Sequence, residues 1–299
     1  IQMRSLVLAL IALMAAAAAA TCGQVKMNEQ HAAQAFVASP EGQALIRAKR
    51  GANQTGKAVL GGTQANSGSW PWMVSICLVD WFGTCNFKAG GVIISDRWIV
   101  SSYSFVEKSE KVSNYHIRAG STNKGSGGQY IQVLEIWRIT DENSKDHYDD
   151  MALIHLGSPL TFNEYVQPIC VTSSDAGMVN PGEYAWFTGW GHSTGGTFDT
   201  QETYLRQVQL PFVDGGVCKN HFGKFYDDEQ LCAGGGSAFT CNYDRGGPLM
   251  QKRNGAWYLL GISDTTEYTS TGCKTATIFA RASKFCWFYE GTAGVSCIN

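Results

Sequence analysis

One stretch sets the pattern of this sequence: Trp72-Met73-Val74-Ser75-Ile76-Cys77-Leu78-Val79. It is a short apolar run, and from Val59 onward similar β-rich runs recur between Gly, Asn, Asp and Ser residues. The further runs are Gly91–Val100, Tyr130–Ile139, Met151–His155, Tyr184–Trp190, Leu205–Pro211 and Trp257–Ile262. Regularly spaced short strands with turn signals between them predict an all-β barrel or sandwich. Only Ala282–Gly291 has the pattern of a helix, at the carboxyl end.

Composition sets the broad class. The chain has 299 residues, of which 44% are hydrophobic and 16% charged, enough for one large domain or two smaller ones with real cores. Lys and Arg number 23 against 25 Asp and Glu, a net charge of -2. Such a balance gives no global field that attracts nucleic acid or an anionic membrane, and we expect neither as a partner. A local basic patch stays open.

The amino-terminal 58 residues differ from the rest. Met3-Arg4-Ser5 and the apolar Leu6–Ala20 stretch predict a signal peptide over residues 1–20, cleaved after Ala20. A membrane anchor is the alternative, but about 15 apolar residues fall short of the roughly 20 needed to span a bilayer. Residues 21–58 are polar and rich in Ala and Gln, which indicates a weakly structured propeptide.

Two signals lie within this propeptide. Arg47-Ala48-Lys49-Arg50 has the form of a multibasic processing site, or of a solvated helix end. Asn53-Gln54-Thr55 is an N-glycosylation sequon, which predicts a glycan on Asn53 in an exposed loop. Together with the signal peptide, they predict a secreted, extracellular protein.

Ten cysteines fit the same compartment. Disulfides persist only in an oxidising environment, and an even count leaves no obligatory free thiol. The sequence has no Cys-x-x-Cys pair and no His-x-x-x-His pair. We therefore expect a disulfide framework with no metal site and no cofactor.

Four motifs carry a family resemblance. They are Val59-Leu60-Gly61-Gly62, Pro71-Trp72-Met73-Val74-Ser75, Gln167-Pro168-Ile169-Cys170 and Gly189-Trp190-Gly191. Together they resemble landmarks of the chymotrypsin/trypsin-like serine proteases, over residues 59–299. The resemblance implies two six-stranded antiparallel β-barrels, a short C-terminal helix and a site in the cleft between the barrels.

The nucleophile loop of this family has a close counterpart. Cys241-Asn242-Tyr243-Asp244-Arg245-Gly246-Gly247-Pro248 resembles the family's Gly-Asp-Ser-Gly-Gly-Pro, with Arg245 in place of the attacking serine. A guanidinium cannot be deprotonated in a protein and has no nucleophilic atom. This substitution predicts a protein that is not an enzyme.

The other catalytic positions follow from the same resemblance. After the strand Trp98-Ile99-Val100-Ser101, the family has Ala-Ala-His-Cys where this chain has Ser102-Tyr103-Ser104-Phe105. Ser104 therefore stands in place of the base, whereas Asp150, in Asp150-Met151-Ala152-Leu153-Ile154, keeps the place of the orienting aspartate. We expect Arg245 to compensate by forming a bidentate ion pair with Asp150, with Asp264 as a second acceptor. The alternative is that Arg245 points into solvent, as surface arginines commonly do.

Positions around the triad also depart from the family. Tyr243 replaces the oxyanion-hole glycine. The resemblance implies Phe239 at the base of the specificity pocket. It implies Thr266 and Thr277 near positions where the family has glycines that leave room for a substrate side chain. We expect substrate entry to be obstructed.

The activation switch is altered as well. In the family, a new amino terminus at Val59 would insert beside Asp244, but cleavage after Lys57 would release Ala58, one residue too long. The calcium loop, Ala119–Tyr130, contains no carboxylate, and we expect no calcium there. Ser193 fits a Gly-x-Ser-x-Gly motif, but the following Gly196-Thr197-Phe198-Asp199 predicts a loop instead of the required helix.

Five disulfides are expected. The resemblance implies Cys218–Cys232 and Cys241–Cys273, and the remaining cysteines suggest Cys77–Cys85, Cys286–Cys297 and Cys22–Cys170, although sequence alone does not fix connectivity. Two further family bridges are missing at both ends, at the positions of Ala89 with Phe105 and of Ala185 with Gln251.

The resemblance thus implies a secreted, non-catalytic serine protease homologue that acts by protein binding. Such proteins are commonly cofactors or decoys for active proteases, or recognition proteins in innate immunity, which implies another secreted protein, such as an active protease or an inhibitor, as partner. Two alternatives stay open: a structural or storage component of an extracellular matrix or secretion, and a residual serine-type endopeptidase.

Overall fold

The structure is a computed structural model that describes residues 22–25, 62–139, 150–191, 201–235, 240, 244–265, 268–269, 272–273 and 276–298. The strands of this part are β1 Thr63–Gln64, β2 Met73–Val79, β3 Cys85–Ile93, β4 Trp98–Ser101, β5 Tyr115–Ala119, β6 Gln129–Arg138, β7 Ala152–Leu156, β8 Tyr184–Gly189, β9 Arg206–Pro211, β10 Gln230–Ala233, β11 Pro248–Arg253, β12 Ala256–Thr265, β13 Tyr268–Thr269, β14 Gly272–Cys273 and β15 Thr277–Arg281. Its α-helices are α1 Gly215–Phe222 and α2 Cys286–Ala293, with short 3₁₀ turns at Val112–Asn114 and Ala282–Phe285. The expected signal peptide and Asn53 lie outside the described residues.

The amino-terminal half is a closed barrel. Its strands follow the order β2-β3-β4-β7-β6-β5, with every neighbouring pair antiparallel. β2 is buried from Met73 to Leu78 because both of its edges are paired and its apolar run fills the interior. In β5, by contrast, buried and partly exposed residues alternate, and Tyr115, Ile117 and Ala119 face the interior.

The carboxyl-terminal half is a curved sheet in the order β1-β9-β8-β11-β12-β15-β10. Its edges approach where Phe212, just after β9, forms a bridge with Ala233 at the end of β10. The Val213 N–H also donates to the Cys232 carbonyl at 3.0 Å. The predicted all-β, chymotrypsin-like fold with a C-terminal helix is therefore confirmed, the first barrel being closed and the second a half-barrel sheet.

Two details differ from the pattern in the sequence. Helix α1 was not predicted, because two glycines open it and weaken its helix propensity. It forms because the Asp214 carboxylate accepts from the Gly216 N–H at 2.8 Å and Gly223 ends it with φ 77°. The run Gly91–Val100 is also divided, since β3 ends at Ile93 and β4 begins at Trp98.

Tryptophans fill the seam between the two halves. Trp70 contacts Trp72, Trp186 and Trp257, with ring centroids 6.0, 5.6 and 4.9 Å apart. Trp72 precedes β2 of the first barrel, whereas Trp186 and Trp257 belong to β8 and β12 of the second sheet. This packing fixes the two halves against each other and therefore fixes the cleft between them.

Four of the five expected disulfides are formed, namely Cys22–Cys170, Cys77–Cys85, Cys218–Cys232 and Cys286–Cys297. The fifth expected bridge involves Cys241, outside the described residues. Such a framework is typical of secreted proteins. Where the family has another bridge, Ala89 and Phe105 are buried in the core. Neither α1 nor α2 is long and apolar enough to cross a membrane, and the described residues contain no other helix that is.

Candidate functional site

Asp150 lies beside the end of β4. Because Ser101 of β4 pairs with Ala152 of β7, the residues after β4 come next to those before β7. The Ser104 backbone N–H donates to Asp150 Oδ1 at 2.6 Å, and the Ser102 hydroxyl donates to Oδ2. The hydroxyls of Ser102 and Ser104 are themselves 2.7 Å apart. The carboxylate thus has two neutral donors from one short segment.

Ser102 is the residue that sequence reasoning missed. It occupies the first alanine of the family's Ala-Ala-His-Cys, and its side chain is fully buried. A hydroxyl-bearing residue in place of alanine, next to a position that has lost its histidine, was the available signal. Its hydroxyl supplies the hydrogen bond that Asp150 would otherwise lack.

Arg245 does not form the ion pair expected from the sequence. Its side chain is exposed, and the ion pairs of the described residues include none between Arg245 and Asp150. The prediction was wrong because it assumed that Asp150 had no local donor. The Ser102 hydroxyl and the Ser104 N–H, from one short segment, satisfy the Asp150 carboxylate. An ion pair would in addition require the long Arg245 side chain to become ordered and its charge to lose water.

The backbone around Arg245 is nevertheless held in place. The Arg245 carbonyl accepts from the Gly90 N–H at 2.9 Å, and the Gly246 N–H donates to the Ser263 carbonyl at 3.0 Å. Gly246 has φ 75°, and a Cβ there would collide with the Gly90 carbonyl and Ser101 Oγ. Only glycine fits this position, and the loop keeps its frame although the residue before it has changed.

The Asp244 carboxylate is buried against the second sheet. The Gly191 N–H donates to Asp244 Oδ1 at 3.0 Å, and a Cβ at Gly189 or Gly191 would overlap the carboxyl group. Glycines on both sides therefore make room for this side chain. Its expected switch partner, Val59, lies outside the described residues.

The specificity-pocket positions are only partly described. Thr277 is fully buried, and its hydroxyl is 2.6 Å from that of Thr240. A buried pair of threonines thus includes Thr277, which the resemblance implies to be near a family glycine position. The positions of Tyr243, Phe239, Thr266 and Ser193 lie outside the described residues.

An open cleft of about 380 Å³ adjoins Asp150. Two carboxylates, Asp150 and Asp264, and two cations, Lys108 and Arg138, line it together with Tyr103, Ser104 and Val106. The Arg138 guanidinium lies over the Tyr103 ring, 4.8 Å from its centroid. The lining thus carries both signs of charge and one exposed serine hydroxyl, that of Ser104.

Comparison with known proteins identifies the family of this chain. The sequence model of a family described as Trypsin matches residues 59–287, which contain both β-barrel halves. The chain belongs to the trypsin family. It is similar to ovochymase from Halocynthia roretzi, with 30% identity over 258 residues, which cover 83% of this chain and 16% of that protein. This trypsin-family chain thus spans well under two thirds of the relative's length.

Proposed function

We propose that this trypsin-family chain is a secreted, non-catalytic serine protease homologue that acts by binding another protein. The environment of Asp150 is the observation that carries the proposal. In catalysis by this family, the aspartate orients a histidine base. Here its oxygens accept from Ser102 and Ser104, and Ser104 supplies no imidazole.

The nucleophile position supports the same proposal. Acyl transfer needs an attacking atom within hydrogen-bond reach of a base. Arg245 offers no such atom, and its side chain is exposed.

A residual endopeptidase is the rival, and Ser104 is its best nucleophile. The Ser104 hydroxyl is exposed in the cleft and is linked through the Ser102 hydroxyl to Asp150. Activation of a nucleophile needs a base within hydrogen-bond reach of it, and the Ser104 hydroxyl reaches the Ser102 hydroxyl instead of a base. This relay therefore favours hydrogen bonding over proton abstraction.

The cleft itself supports a binding role. It is open and carries carboxylates and cations side by side, a lining suited to charged side chains of a protein partner. Arg138 is held against Tyr103 by cation–π contact, which positions its charge before a partner arrives.

Catalysis is tested with the purified, processed protein. We expect no turnover of a broad set of peptide and ester substrates, and no labelling by an organophosphate or sulfonyl fluoride at Ser104 or residue 245. Active trypsin under the same conditions is the positive control. Turnover or labelling that disappears in Ser104→Ala would establish a catalytic role and overturn the proposal.

Binding is tested by a pull-down from the native fluid. The protein retained by the wild-type chain should be lost when the cleft cations are reversed in Lys108→Glu with Arg138→Glu. Lys252→Glu, an exposed reversal at the end of β11, is the matched control and should retain the partner. Equal retention by the cleft variant would show that the cleft is not the binding surface.

A further inference from the structure

The tip of the β2–β3 hairpin exposes two adjacent aromatic side chains. Trp81 is 96% exposed and Phe82 is 90% exposed. Single exposed apolar residues are ordinary, and Trp287, on α2, is 62% exposed. Two neighbouring aromatics that are almost wholly in water are different, because such side chains usually bury most of their surface.

The tip is an ordered turn. The Cys77–Cys85 disulfide joins the two strands at its base. The Asp80 N–H donates to the Thr84 carbonyl at 2.9 Å, and the Gly83 N–H donates to the Asp80 carbonyl at 3.0 Å. Gly83 has φ 80°, which allows the chain to return toward β3. The aromatics are thus presented by a closed turn, and docking them requires little ordering of the chain.

The Asp80 carboxylate completes this turn from inside. Its Oδ1 accepts from the N–H groups of Phe82 and Thr84, both at 2.9 Å, and its Oδ2 accepts from the Asn86 amide at 3.0 Å. The N–H groups of Asp80, Phe82, Gly83 and Thr84 are therefore all paired within the hairpin. Each pairing lowers the cost of bringing the turn to an apolar boundary, because an unpaired polar group is expensive there.

Tyr130, Arg118 and His116 lie together beside the base of the hairpin. Tyr130 donates from its hydroxyl to Cys85 Sγ at 3.3 Å. The Arg118 guanidinium lies over the Tyr130 ring at 4.8 Å, and the His116 ring stacks on it with centroids 4.8 Å apart. Trp81 and Phe82 at the tip would face the apolar part of a bilayer, and Tyr130 and Arg118 behind them would lie at the level of the lipid headgroups.

We infer that Trp81 and Phe82 insert into the interfacial layer of a lipid bilayer and dock the protein reversibly on a membrane surface. Charge counting on the sequence gave no reason to expect this, because the contact is apolar and local. A protein pocket is the rival occupant. A standard protein interface takes about 800 Å² from each partner, more than two side chains supply. Insertion into the interfacial layer needs only the exposed aromatic side chains, and the four paired N–H groups of the turn lower its cost. The inference is independent of the function proposed for the cleft.

Sedimentation with large unilamellar vesicles tests it. The full processed chain should cosediment with phosphatidylcholine vesicles, and added phosphatidylserine should strengthen binding in a salt-sensitive way. Trp81→Ala with Phe82→Ala should weaken the partition coefficient by roughly tenfold or more without lowering the melting temperature, because both side chains are exposed. Trp287→Ala is the matched control and should bind as wild type.

Each other outcome would overturn the inference. A wild-type chain that stays in the supernatant at every lipid concentration does not insert. Equal binding by the double variant would place the contact elsewhere. Concentration-dependent self-association that the double variant abolishes, without vesicle binding, would assign the tip to a second copy of the chain.

Discussion

Asp150 and Asp175 are two carboxylates that the fold removes from water to different degrees, and their partners differ accordingly. Asp175 is buried, and Arg281 donates to it twice, from Nε to Oδ2 and from Nη2 to Oδ1, both at 2.7 Å. Ser283 adds a third bond at 2.9 Å. Asp150 is only partly buried and takes neutral donors from Ser102 and Ser104. The bidentate arginine that the sequence suggested for Asp150 is thus present in the molecule, at Asp175.

The difference lies in where each arginine is anchored. Arg281 ends strand β15, whose pairing with β10 and β12 fixes its starting point before the ion pair forms. Arg245 lies in a turn, outside any strand, and its side chain is exposed. A bidentate arginine is favoured where the carboxylate is buried and a strand holds the arginine backbone beside it. Neutral donors from a nearby segment suffice where the carboxylate remains accessible to water.

The largest effect on the free energy of unfolding is expected at the Asp175–Arg281 ion pair. Arg281→Ala leaves the Asp175 carboxylate buried without its charged partner and should lower the free energy of unfolding by about 3–5 kcal/mol. Adding Asp175→Ala should recover much of this loss, since the stranded charge is then gone. Urea denaturation measures both. Arg253→Ala, with one backbone hydrogen bond at an exposed site, is the control and should cost far less.

A smaller effect is expected at Ser102. Ser102→Ala removes one buried donor to Asp150 and should lower the free energy of unfolding by about 1–3 kcal/mol. Ser104→Ala is the matched control, because the backbone N–H that bonds Asp150 remains. Denaturation curves in which Ser104→Ala costs as much as Ser102→Ala would contradict the role assigned to the Ser102 hydroxyl.

Part of the pH dependence of stability should come from Asp175. Burial by itself would raise the pKa of this carboxyl, but the hydrogen bonds from Arg281 and Ser283 and the charge of Arg281 together lower it. Because the folded pKa lies below the unfolded value of about 3.9, this contribution is fully present above that pH and is lost as the pH falls through the folded pKa. Asp175→Asn should therefore flatten the acid limb of the curve of unfolding free energy against pH, measured by urea denaturation. An acid limb as steep in this variant as in the wild type would contradict the role assigned to Asp175.

The smallest effect is expected at Arg245. Arg245→Ala should change the free energy of unfolding by no more than about 0.5 kcal/mol, because the side chain is exposed and the loop is held by backbone bonds. A loss of several kcal/mol in chemical denaturation would indicate that Arg245 does pair with Asp150. It would contradict the difference between Asp150 and Asp175.

Much of the fold could be predicted, and the misses have physical causes. The apolar runs that became β2, β6, β7, β8 and β9 were visible because burial of a paired strand requires them. Helix α1 was hidden, since its cap at Asp214 and its end at Gly223 outweigh two unfavourable glycines. The exposed pair Trp81 and Phe82 carried no sequence signal, because aromatic residues are normally evidence of a core.

The sequence by itself determined the architecture and which positions of the trypsin family have changed, because strand patterns and short motifs are local. It located Ser104, Asp150 and Arg245 but not the hydrogen bonds that the carboxylates accept. Those were decided by the pairing of β4 with β7, which brings Ser102 to Asp150 across 48 positions of sequence, and by β15, which brings Arg281 to Asp175 across 106. The hydrogen-bond partners of a carboxylate depend on which donors lie within its reach, and the packing of the strands decides that.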